Sequence, residues 1–117
     1  MKHKSLRERL SALFNVSLPI SGGSGETIDE PIIISITGCA LFVEVQYHVL
    51  ELIWKSRGLP WEVHKQNLIE HQDRTIDKLV IKTREVSEDH ISYRYENFFF
   101  DITDCLETKL VQDNDVI

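Results

Sequence analysis

The stretch ALFVEVQYHVLELIWKS, residues 40–56, decides the fold. At about 100° per residue, Leu41, Phe42, Val45, Val49, Leu52 and Ile53 fall on one arc, and Val43, Tyr47, Leu50 and Trp54 widen it. Glu44, His48, Glu51 and Lys55 take the remaining face, so the spacing predicts a helix buried on most sides. A strand with Leu41, Val43, Val45, Tyr47 and Val49 inward, turning through Thr37-Gly38, competes for the first half. The length of the run and its ending on Arg57-Gly58 favour the helix.

Upstream, PIIISIT (31–37) is β-branched and apolar on both faces, as suits the central strand of a sheet, with Pro31 tolerated at its first position. Between Asn15 and Glu30 the chain turns to Ser, Gly and Pro around Ser21-Gly22-Gly23-Ser24-Gly25, which reads as an irregular surface loop or a lid. Ser5 caps a short helix to about Phe14, with Glu8 completing a capping box and Leu6, Leu10, Leu13 and Phe14 on one face.

Downstream, Pro60 suits a first helical turn, and Trp61, His64, Leu68 and His71 share one side of a second, shorter helix. Thr75–Arg84 and His90–Asp101 are β-rich runs separated by Val86-Ser87-Glu88-Asp89, which predicts a hairpin. The alternation slips from Ile91, Tyr93 and Tyr95 to Phe98, Phe100 and Ile102, so a bulge is expected near Glu96-Asn97. The expected fold is a single α+β domain over residues 1–117: one central strand and a C-terminal hairpin form a three-stranded mixed sheet on one long buried helix. Short N-terminal and second helices flank it, and an acidic tail follows Cys105.

Composition narrows the function. The 117 residues are 42% hydrophobic and 27% charged, ordinary values for one globular domain. Nineteen acidic against thirteen basic residues give a net charge of -6, which repels phosphate backbones, so no nucleic-acid partner is expected. Cys39 and Cys105 form neither a C-x-x-C motif nor a disulfide framework, pointing to a reducing cytoplasm. No apolar run approaches the ~20 residues of a membrane span, and the N-terminus lacks the apolar region of a secretion signal.

Four constellations could carry chemistry. The glycines at 22–25 precede a strand instead of opening a helix and lack the Gly-Lys-Ser/Thr ending of a phosphate-binding loop, so they read as a flexible connection. Cys39 stands where a strand hands over to a helix, a place that lowers a thiol's pKa and suits a nucleophile; Val45 occupies the position where a phosphatase-like loop needs arginine. Glu44, His48 and Glu51, spaced i, i+4 and i+7, could converge on a divalent metal, although no cofactor is expected. Tyr93, Tyr95, Phe98 and Phe99 form an aromatic patch of the kind interfaces favour, since three consecutive phenylalanines cannot share one side of a strand.

Together these features suggest a small cytoplasmic interaction module, an inhibitor, an immunity-type binding protein or a homo-oligomer, that uses the aromatic hairpin. The alternative is a small enzyme or metal-dependent hydrolase using Cys39 or the Glu44/His48/Glu51 face. The segments Gly22-Gly23-Ser24-Gly25-Glu26, Val43-Glu44-Val45-Gln46-Tyr47, Gly58-Leu59-Pro60-Trp61 and Phe100-Asp101-Ile102 resemble those of small bacterial proteins of uncharacterised function. Those proteins carry a Gly-rich loop, a V-E-x-x-Y helix, a G-x-x-W turn and a terminal F-D-I. The resemblance implies a compact α+β domain in a bacterial cytoplasm and supplies no catalytic residues.

Overall fold

A computed structural model describes residues 4–35 and 42–106. The elements are α1 (Leu6–Phe14), β1 (Ile20–Gly22), β2 (Ile32–Ile34), α2 (Phe42–Arg57), β3 (Trp61–His71), β4 (Arg74–Val86) and β5 (Ile91–Asp101), followed by a helical turn at 103–106. The strands form one mixed five-stranded sheet in the order β1-β2-β5-β4-β3. β2 runs parallel to β5, and every other neighbouring pair is antiparallel.

Two helices form where capping and periodicity place them. Ser5 Oγ accepts from the Glu8 N–H and the Glu8 carboxylate accepts from the Ser5 N–H, closing the capping box of α1. Asn15, in the left-handed region at φ 54°, ends it. α2 buries Val49, Leu50, Leu52, Ile53 and Trp54, which settles residues 42–57 as helix and not strand.

The expected three-stranded sheet is corrected at three points. The segment read as a second helix is the edge strand β3, because Gln72 and Asp73, at φ 52° and 62°, adopt the φ signs of a type I′ turn and fold β4 back onto it. A bulge between Val63 and Lys65 shifts the strand's side-chain alternation, which mimicked a helical period. The Gly-rich segment contributes β1, which pairs with β2 through Ile20–Ile34 and Gly22–Ile32. β2 is therefore second from the edge, and β5 holds the centre.

The β4–β5 hairpin forms where its turn residues place it, with Ser87 N–H donating to the His90 carbonyl, but its ladder runs unbroken from Ile76–Asp101 to Val86–Ile91. No bulge interrupts Glu96-Asn97. Instead the three phenylalanines divide between the faces. Phe98 and Phe100 join Leu79, Ile81, Ile32, Ile34, Val49, Leu50 and Trp54 in the core under α2. Phe99 points to the opposite face, where the Lys78 ammonium lies 5.8 Å from its ring centroid.

Candidate functional site

Among the described residues, one sheet face is covered and the other is largely bare. On the α2 side, Trp54 packs against Trp61 and Phe98 at centroid distances of 5.9 and 5.2 Å, and its indole N–H donates to Thr83 Oγ1 at 2.9 Å. On the far side the loop between β1 and β2 closes only the base of the sheet. Gly25 accepts from the Phe99 N–H at 2.8 Å, and Asp29 meets His71 Nε2 at 3.1 Å. Beyond that loop the far faces of β3, β4 and β5 are exposed towards the hairpin tip.

That surface is built by register. Lys82 stands opposite Tyr95, Arg84 opposite Tyr93, and Val86 opposite Ile91, so all six share one face. Tyr93 and Tyr95 are 51% and 54% exposed, and Val86 and Ile91 are also exposed. The Lys82 ammonium sits 4.3 Å from the Tyr93 ring centroid, while His64, from the bulge in β3, contacts the Tyr95 ring edge-on at 5.1 Å. A groove of about 300 Å³ opens beside them, lined by Pro60, Trp61, Glu62, Lys82, Arg84 and Tyr93. Of the four aromatics expected at a partner surface, Tyr93 and Tyr95 are exposed on this sheet face. Phe98 and Phe99 are 3% and 9% exposed and belong to the interior, a correction that follows from the helix over one and the β1–β2 loop near the other.

Sequence reasoning missed the cations of this face. Lys78, Lys82 and Arg84 recur at even positions of β4, and a two-residue alternation read along that strand aligns them beside Tyr93 and Tyr95. The edge of β3 offers a weaker template, since its bulge, Glu62, Lys65 and Glu70 are the devices that blunt exposed edges.

The other candidates fare differently. Glu44, His48 and Glu51 are exposed on α2, and among the described residues no three His, Cys, Asp or Glu side chains are placed to hold a metal. Cys39 lies outside the described residues. Cys105 is a buried thiol against the core. Among the described residues no helix is long and apolar enough to cross a membrane.

Two polar clusters escaped the sequence reading. Asp77, fully buried on the α2 face of β4, accepts at Oδ2 from the Gln46 and Gln66 side-chain amides at 2.8 and 2.7 Å. Asp77 Oδ1 and Gln46 Oε1 make no hydrogen bond with the described residues. At the base of the sheet, Asp101 accepts from Arg74 Nε at 2.8 Å and from the Thr103 N–H at 3.0 Å, while Thr103 Oγ1 accepts from the Thr75 N–H. Burial pushes the Asp101 carboxyl up, but the hydrogen bonds from Arg74 and Thr103 outweigh it and hold the group below the usual carboxylate range. This network locks the end of β5 to the start of β4.

Comparison with known proteins finds no matching family model, no matching curated protein and no matching solved structure.

Proposed function

We propose that this chain is a small protein-binding module that docks its partner on the uncovered face of the β4–β5 hairpin, with Tyr93 and Tyr95 as anchors. The observation that carries the reading is a pair of half-exposed tyrosines on a sheet face that no helix among the described residues covers. A tyrosine offers a large, stiff contact area with a polar tip and loses little conformational freedom on binding, which is why interfaces concentrate it. Val86 and Ile91 extend the apolar strip to the tip, and the neighbouring groove gives a partner side chain somewhere to insert. An inhibitor or immunity-type role in a bacterial cytoplasm fits a rigid, small binding surface of this kind.

The test uses a photo-cross-linking phenylalanine analogue at position 95 and, as control, at Glu85 on the opposite face of β4. A discrete adduct with one protein in the cell of origin is expected from position 95, absent from position 85 and lost on adding Tyr93→Ser. Equal labelling from both positions sinks the reading.

A further inference from the structure

We infer that the partner of this hairpin surface is a protein presenting carboxylates around an apolar strip; the inference rests on the docking reading above and adds the partner's chemistry. It comes from how the cations are distributed between the two faces. On the α2 side, Arg94 of the sheet meets Glu85 at 3.4 Å and Arg57 of α2 meets the sheet residue Glu96 at 2.7 Å, while Lys55 rests over the Phe14 ring. On the far side, Lys65, Lys78, Lys82 and Arg84 form no ion pair with any described residue. Two of them, Lys78 and Lys82, rest over aromatic rings instead. On this face of β3, β4 and β5 the acids are Glu62, opposite Lys82, and the buried Asp101, which Arg74 already engages. Glu88 and Asp89 lie beyond it in the turn. A chain of net charge -6 therefore carries a locally cationic face, and its acidic excess lies elsewhere.

The molecule already matches the base of this face with acid. Asp29, in the loop that reaches over it, meets His71 at 3.1 Å, and Asp101 meets Arg74. Where the loop stops, the unmatched cations and the exposed tyrosines begin. A partner that continues the pattern brings carboxylates to Lys82 and Arg84 and apolar side chains to Tyr93, Ile91 and Val86. A second copy stacking the same face on itself would set cation against cation, so a two-fold dimer through this face is disfavoured. A single nucleic-acid strand would use the cations and stack on the tyrosines. It has no use for the aliphatic pair Val86–Ile91, and Lys82 already occupies one side of the Tyr93 ring.

The test is a nitrogen-15 chemical-shift titration of the full chain with three short peptides that alternate Val with Glu, with Ser or with Lys, and with oligothymidylate. The Glu peptide is expected to shift resonances at 80–84 and 93–95, to weaken with added salt, and to lose at least about tenfold in affinity in Lys82→Glu/Arg84→Glu. Tyr93→Ser/Tyr95→Ser is expected to abolish binding while the rest of the spectrum stays unchanged. Equal binding of all three peptides at these residues overturns the acidic partner and leaves the docking surface standing. Shifts confined to other residues overturn both readings. Tighter binding of oligothymidylate than of the Glu peptide at 82 and 93–95 overturns the protein partner in favour of nucleic acid.

Discussion

The β4–β5 hairpin is one continuous ladder, yet its base and its tip are held by different forces. At the base, α2 covers one face, where Leu79, Phe98 and Phe100 are removed from water, and the β1–β2 loop reaches over the other, where Ile76 and Phe99 are buried. At the tip the same strands expose Val86, Ile91, Tyr93 and Tyr95, and the ladder continues on backbone hydrogen bonds, cross-strand pairs and cation–ring contacts. Burial builds the domain; register alone shapes the exposed aromatic face at the tip. The two ends should therefore respond differently to substitution.

The largest effect is expected at the base. Phe100→Ala removes a fully buried ring and should cost about 3–5 kcal/mol in urea unfolding, whereas the corresponding loss at the tip, Ile91→Ala, should stay within about 0.5 kcal/mol. Comparable losses at the two positions would erase the distinction. Gly25→Ala tests the loop at the base. Gly25 has φ 83°, and a Cβ there would stand 2.8 Å from Ile32 Cδ1, so a loss of about 1–3 kcal/mol is expected.

Next in size is the polar lock. Asp101→Asn keeps the shape but removes the charge that Arg74 engages, and should cost about 1–3 kcal/mol at neutral pH. Because the folded carboxyl titrates below its unfolded value, its contribution is present above about pH 4 and is lost as pH falls through the lower folded value. The stabilities of the native chain and Asp101→Asn should converge in acid, and a gap that persists there would assign the effect to packing. Ser5→Ala opens the capping box of α1 and should cost about 1 kcal/mol by the same assay. The smallest effect on stability is expected for Tyr95→Ser, within about 0.5 kcal/mol. A cooperative loss of structure in that variant would show that Tyr95 supports the hairpin instead of serving a partner.

The helices and the last hairpin were legible because their signals are local. Ser5 and Glu8 announce a cap, the run to Trp54 a buried stripe, and Ser87-Glu88-Asp89 a turn between two β-rich segments. β3 was hidden by two features that act against pattern. Its bulge breaks the two-residue alternation, and its turn uses Gln72-Asp73, not the Asn-Gly or Asp-Gly that such φ angles favour. β1 is three residues long and ends in Gly22, so nothing in its composition separates it from the loop it leads into. Of the surface, Tyr93 and Tyr95 could be read from the sequence. Phe98 and Phe99 were misplaced because only the tertiary fold says which covers lie over a strand. The cationic side became visible only with the register, since overall charge has the opposite sign.

The placement of β5 has a consequence for biosynthesis. The last of the described strands is the middle strand of the sheet, and β2 reaches β4 and β3 only through it. On the ribosome, Ile32, Ile34, Leu50 and Trp54 emerge well before Phe98 and Phe100, the residues that complete their core. Until β5 leaves the exit tunnel, α2 and the β1–β2 pair lack the centre of their sheet, and the nascent polypeptide is a natural client for chaperones that hold apolar segments.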